Sequence, residues 1–302
     1  MARAGDTYRE AGGVVMKRRH AFTLGLGAAA VASLTARAQT PPRIVSVGSA
    51  LTEIVYALGA EGLLVGIDTT SLYPAAARAL PQVGYMRALS AEGVLSLKPT
   101  LVIATTAAGP ATTLDQLRAT GVEVLVLPDH YDYDSVIAKI AAVGRLTDKT
   151  AEADAMIARG RADMAELTKK LATATNKPRV LFLLSMGGGA PQAAGRDTAA
   201  DGIIRLAGGT NAIDGYAGYR PLTPEAVLAS RADFVLVTRQ TVQAMGGIEA
   251  ILDQPALHRT PAGRAGKVLQ FDALLLLGFG PRTPQAAQDL ASALHPELAR
   301  AP

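Results

Sequence analysis

Residues 84–105 read GYMRALSAEGVLSLKPTLVIAT, and residues 218–238 read GYRPLTPEAVLASRADFVLVT. Aligned on Arg87 and Arg220, both follow R-x-L-[ST]-x-E-x-V-L and then run into an apolar strand. The local logic is the same in each. Ser90 and Thr223 are placed to accept from the free N–H groups of a helix start. Glu92 and Glu225 then fall in the first helical turn, where the helix dipole favours an acid. Leu101 to Ala104 and Phe234 to Val237 follow as strands. Two copies of one capped-helix–strand unit predict two lobes of like construction, because two are too few for a solenoid.

The same alternation extends outward from each copy. Arg43 to Val47 reads as a strand, followed by a helix from near Leu51 to Gly59 and a short strand from Leu64 to Asp68. Leu114 to Thr120 is a helix stopped by Gly121, Val122 to Leu127 a strand, and Ser135 caps a helix to about Gly144. Thr150 to Thr175 breaks this rhythm as one long charged helix, with Ala155, Met156, Leu167 and Leu171 in its apolar stripe and Pro178 as its stop. Strand Val180 to Leu184, a glycine-rich turn, helix Thr198 to Ala207, the second phrase, a helix near Ile248, strand Val268 to Gln270 and a helix from Pro284 complete the chain. The fold class is therefore α/β with parallel sheets. The expected boundaries are an N-terminal lobe over 39–147, a connecting helix over 148–177 and a C-terminal lobe over 178–302. A ligand belongs by default in the cleft between lobes.

The bulk numbers remove several function classes. The chain has 302 residues, 49% of them hydrophobic, only 4% aromatic and no tryptophan, so aliphatic side chains build the core. Its formal charge of +4 comes from the first 37 residues, which hold six basic and two acidic groups. The rest is neutral, with 24 basic residues (30 less 6) and 24 acidic (26 less 2), so nothing argues for a nucleic-acid partner. The leader has the order of an export signal: a start at Met16, a basic trio of Lys17, Arg18 and Arg19, an apolar run from Ala21 to Leu34, and Ala36-Arg37-Ala38 as a cleavage site. Cleavage after Ala38 is expected, with residues 1–15 an over-called start. There is no cysteine, which excludes disulfides, thiolate metal sites and a lipid-modified N-terminal cysteine. These features point to a free periplasmic protein.

Few residues carry chemistry. Capping accounts for Glu92 and Glu225 one at a time; the alternative is a pair of surface acids, one per lobe, that a partner protein grips with arginines. Tyr85 lies two residues before Arg87. It is either a packed phenol or an oxygen held as phenolate by the nearby positive charge. A phenolate suits ferric iron, and tyrosine ligates the iron of some haem proteins. Tyr219 and Arg220 offer a second such pair. Met186 and Gly187 open a glycine run that lacks both phosphate-loop spacings and fits a turn letting backbone approach a flat ligand. Ser185 is no nucleophile elbow, since Leu183 stands where glycine is required. His130 follows a strand and is either a solvated loop residue or one that faces the cleft; His258 and His295 show no obvious partner.

Four pieces together resemble the periplasmic haem-binding proteins of bacterial ABC haem importers. They are LPQVGYMRALSAEGVLSLKP (80–99), GGGAPQAAGRDTAAD (187–201), LAGGTNA (206–212) and GYRPLTPEAVL (218–228). The likeness runs from Arg43 to about His295, and the second and third pieces favour the haem branch over relatives that take cobalamin or ferric siderophores. It implies two Rossmann-like lobes joined by one long rigid helix, with a ligand cleft between them. It also implies a monomer that carries ferric haem b as cargo. Tyr85 would ligate the iron, and Arg87 would hydrogen-bond the phenolate. Tyr219 and Arg220 would line the opposite wall, and Glu92 and Glu225 would dock onto a two-fold ABC permease. Aligned on the arginines, Tyr219 falls opposite Met86, so its equivalence to Tyr85 does not follow. A siderophore or cobalamin carrier is the nearest rival. An α/β enzyme using Tyr85 and Arg87 as acid and base would need a nucleophile, metal or cofactor motif, and none is present.

Overall fold

The computed structural model describes residues 41–185 and 191–300. The leader, with Met16 and the Ala36–Ala38 site, lies outside the described residues, as do Met186 and Gly187.

The first lobe alternates β1 (Ile44–Val47), α1 (Ser49–Ala57), β2 (Leu64–Ile67), α2 (Ala91–Leu95), β3 (Leu101–Thr105), α3 (Ala111–Ala119), β4 (Glu123–Leu127) and α4 (Tyr133–Leu146). Its sheet is wholly parallel, in the order β2-β1-β3-β4. The central strands β1 and β3 are buried along their length, as helices on both faces require. α4 is capped by Asp132, which accepts from the Ser135 N–H at 2.7 Å, so Ser135 lies within the helix and is not its cap.

Helix α5 (Thr150–Leu171) spans 22 residues, or about 33 Å at the usual rise. It ends ahead of Pro178, at Ala172. Its inward stripe is Ala153, Ile157, Gly160 and Leu167; Ala155, expected there, is exposed.

The second lobe comprises β5 (Arg179–Leu184), β6 (Gln192–Ala194), α6 (Ala199–Leu206), β7 (Thr210–Asn211), β8 (Tyr219–Pro221), α7 (Pro224–Ser230) and β9 (Phe234–Thr238). Four short helices follow: α8 (Arg239–Ala244), α9 (Ile248–Leu252), α10 (Pro255–His258) and α11 (Pro261–Arg264). β10 (Val268–Phe271), α12 (Ala273–Leu277) and α13 (Thr283–Leu294) close it. The strand order is β10-β9-β5-β6-β8. β5 is the pivot. It pairs in parallel with β9 along one edge and, on the other, with β7 at Arg179–Val180 and antiparallel to β6 at Leu183–Leu184. The antiparallel β6–β8 pair was not expected. It makes the second phrase differ from the first: Tyr219 lies on an edge strand, Tyr85 in a loop.

The lobes share a core. Ile44, Leu51 and Ile103 of the first, Ile157 and Leu167 of α5, and Phe182, Ile203 and Leu290 of the second belong to one contiguous buried cluster. Two glycines permit close approaches. A Cβ on Gly160 of α5 would lie 1.8 Å from the Tyr133 hydroxyl, and one on Gly202 of α6 would lie 2.2 Å from the Tyr131 carbonyl oxygen.

Candidate functional site

The carboxyl ends of β1, β2 and β3 lead to Gly48, Asp68 and Thr105. Asp68 is fully buried and accepts from the Gly48 N–H (2.9 Å), the Thr70 N–H (2.8 Å), the Ser71 hydroxyl (2.7 Å) and the Thr70 hydroxyl. A buried carboxylate with this many donors folds the 68–71 segment into a fixed turn. That turn in turn holds the loop of the first phrase. The Thr69 N–H donates to the Gly84 carbonyl at 2.9 Å, and the Thr70 hydroxyl reaches the Met86 sulfur at 3.8 Å. Ala88 N–H closes on the Tyr85 carbonyl at 2.8 Å, and Gly109 N–H donates to Met86. The backbone around Tyr85 is thus tied down, while its side chain is 45% exposed.

Arg87 is exposed. Its positive charge acts on two phenols, Tyr131 and Tyr219. No hydrogen bond joins Arg87 to Tyr85 among the described residues. Tyr219 is 36% exposed, with its ring edge-on to Phe182 at 6.5 Å between centroids. Burial, then the neighbouring Tyr131, push its pKa up to about 12, while Arg87, the Thr198 hydroxyl and the Ala200 N–H pull the other way. At neutral pH it is a hydrogen-bonding phenol. Arg220 stacks on Tyr216, 4.7 Å from the ring centroid. His130 is exposed; its neighbour Asp129 receives the buried ammonium of Lys139.

Both repeat helices are capped as expected. Ser90 accepts from Gly93 N–H at 3.3 Å and Thr223 from Ala226 N–H at 3.2 Å. Glu92 and Glu225 stand exposed in the first turns. The cap geometry explains their position and leaves both carboxylates on the surface. His258 is exposed, whereas His295 is fully buried and has Glu297 as a partner at 3.3 Å, which the sequence did not reveal.

Sequence reading missed two sets of residues. Tyr131 carries the first lobe onto the second: it adopts a left-handed φ of 52°, lays its carbonyl over Gly202 and packs edge-on against Phe279 at 5.5 Å. Arg282 of the second lobe makes a two-pronged ion pair with Glu53 of α1, 2.8 Å at each oxygen, and its guanidinium lies 3.6 Å from the centre of the Tyr73 ring. The only sequence signal was a Gly-Pro-Arg stretch at 280–282 between an apolar run and the last helix.

The arrangement presents one exposed phenol with a fixed backbone, an arginine beside it and a second, protonated phenol on the other lobe. No cluster of three His, Cys, Asp or Glu side chains able to hold a metal ion occurs among the described residues, and no described helix is long and apolar enough to cross a membrane. Residues 44–274 match the profile of the family described as periplasmic binding protein. Among solved structures, a periplasmic haem-binding protein, BhuT in complex with two haems, is 43% identical, with a TM-score of 0.81 over 85% of this chain and 99% of that one. The ligand-free haem-binding protein RhuT of Roseiflexus sp. RS-1 is 41% identical, with a TM-score of 0.81 over 86% and 100%. Curated relatives are more distant. An uncharacterized ABC transporter substrate-binding lipoprotein, YvrC of Bacillus subtilis, is 26% identical over 85% of this chain and 81% of its own length. The vitamin B12-binding protein of Vibrio vulnificus is 26% identical over 85% and 92%.

Proposed function

Because the chain belongs to the periplasmic binding protein family, whose members are substrate-binding proteins of ABC importers and not enzymes, we propose that it captures ferric haem b outside the cytoplasm and delivers it to an inner-membrane importer. The observation that carries this reading is the likeness, above 40% identity over nearly whole chains, to proteins described as haem-binding. The tyrosine chemistry supports it. A phenolate is a hard anionic ligand for ferric iron, and Tyr85 is the exposed phenol on the tied-down loop.

In this reading Tyr85 ligates the iron of the transported haem. Arg87, Tyr219, Arg220 and His130 line the cleft around it, together with Met186 and Gly187 of the glycine turn. Glu92 and Glu225 dock, one per lobe, onto the two halves of the permease. The protein works as a periplasmic monomer after removal of the leader behind Ala38, with lobes bounded at 147 and 178. A second reading, a cobalamin carrier, is favoured by the vitamin B12-binding relatives; a ferric siderophore is a third cargo of the same kind.

The test is a hemin titration followed by absorbance, wild type beside Tyr85→Ala. Saturable binding with a ferric tyrosinate spectrum, lost or reshaped in the variant, is expected. Binding unaltered by the substitution would move the ligand to another residue. Cobalamin uptake with no saturable hemin binding would replace the cargo. Glu92→Ala with Glu225→Ala should leave that titration unchanged and stop delivery to the membrane importer; delivery at the wild-type rate would remove the docking role.

A further inference from the structure

We propose that Arg282, clamped between Glu53 and Tyr73, is a positioning residue that registers the Tyr85 loop against the second lobe. The inference rests on the haem reading for its consequence but not for its structural content.

Arg282 reaches the first lobe at two places at once. Its fork bonds both oxygens of Glu53, a carboxylate that is 8% exposed as a residue, and its flat face covers the Tyr73 ring. Glu53 raises the Arg282 pKa further, so the cation is permanent. The approach is close along the whole segment. Gly280 is buried against Ala50 of α1, where a Cβ would sit 3.5 Å from the Ala50 Cα. Glu53, Tyr56, Tyr73, Pro281 and Arg282 line a surface pocket of about 300 Å³ here.

Tyr73 belongs to the loop that begins at Asp68. That loop is hydrogen-bonded to the Tyr85 segment through Thr69 and Gly84, and touches Met86 through Thr70. A chain of contacts therefore runs from Arg282 through Tyr73 and the 68–73 loop to the backbone of Tyr85. Asp68 and Ser71 anchor the start of this loop in the core, but Leu72 and Tyr73 are exposed (37% and 42%), so no core packing holds its tip in place. The guanidinium supplies what that packing does not. Lysine could not replace it, since an ammonium has neither the fork nor the flat face.

Two measurements test the clamp. The first is backbone amide exchange of the ligand-free protein. Arg282→Lys and Tyr73→Leu should speed exchange across residues 69–73 and 84–89 while β3 and β9 keep their protection; Tyr73→Phe, which keeps the ring, should match wild type. Exchange that is unchanged in those segments, or faster everywhere alike, overturns the inference. The second is haem loss from hemin-loaded protein to an excess of a haem scavenger. Arg282→Lys and Glu53→Gln should release haem at least about fivefold faster, with a shifted iron–tyrosinate band; wild-type rates and spectra in both variants would also overturn it. Should wild type take up no hemin, the haem reading fails by itself and the exchange result still decides the clamp.

Discussion

Tyr219 keeps its proton to about pH 12, against an ordinary 10.0, because burial and Tyr131 outweigh Arg87. The folded value is raised, so the native state retains a proton that the unfolded chain gives up. Its contribution to stability is complete below pH 10 and is lost as pH rises from about 10 to about 12. Tyr56, Tyr131, Tyr133 and Tyr216 are also raised, chiefly by burial, and share the alkaline slope. Tyr219→Phe should therefore flatten part of the stability loss in this window, measured by urea unfolding at successive pH values. A slope identical to wild type would assign the loss to the other phenols. Arg87→Met removes a charge that favours the phenolate, so tyrosinate absorbance should show ionisation of Tyr219 moving higher still. An unmoved titration would mean that the guanidinium does not face this ring. Arg87 was chosen in the sequence for its place beside Tyr85. Its field on Tyr131 and on Tyr219 of the second lobe could not be read there, because both come near it only through the fold.

Helix α6 and the Tyr131 loop meet with no space to spare. In Gly202→Ala the new Cβ would fall 2.2 Å from the Tyr131 carbonyl oxygen and 2.9 Å from Phe279, so backbone must shift. Overpacking of this kind costs about 1–3 kcal/mol or more, against about 1 kcal/mol regained from helix propensity. The variant should unfold at lower urea concentration by up to about 2 kcal/mol, whereas Gly62→Ala, whose Cβ meets nothing within 4 Å, should be neutral. Equal stabilities would mean that the loop yields freely. What was legible at this scale follows the range of the interaction. Caps at Ser90, Thr198 and Thr223 and the apolar strands β1, β3 and β9 are written locally, and the sequence places them within a residue or two. β6 and β8 have three residues each and exist through pairing, β6 with β5 and β8 with β6, so no local period announces them. The α5 stripe, in which Leu167 is buried and Met156 and Leu171 pack on the core, has Ala155 alone out of place, for a related reason. Its inward face is set by the neighbours on α4 and α13, which place Gly160 between Tyr133 and Pro284 and turn Ala155 outward. Glu53 and Arg282 lie 229 residues apart, beyond any spacing rule.

At the scale of the molecule, two sheets on either side of one helix would ordinarily predict hinged lobes, since relative motion is the default unless the interface is large and apolar. Here it is apolar and continuous. The buried cluster passes from Leu51 and Val136 through Ile157 and Leu167 into Ile203 and Leu290. Opening the lobes would return part of that surface to water at roughly 25 cal/mol for each Å². It would also leave Glu53 and Arg282 as largely buried charges without partners, a further penalty. Both costs rise with the opening angle, so the lobes of the ligand-free protein move little relative to each other. Capture then depends on what the walls offer, a phenol on one side and Arg87 reaching towards the other, and hardly at all on closure. Small-angle scattering of the protein with and without hemin should give superimposable curves, with any change confined to the loop segments seen in amide exchange. A clear compaction on hemin addition would show that the shared core shears apart and re-forms, and would make the connecting helix a hinge instead of the rigid strut its sequence implies.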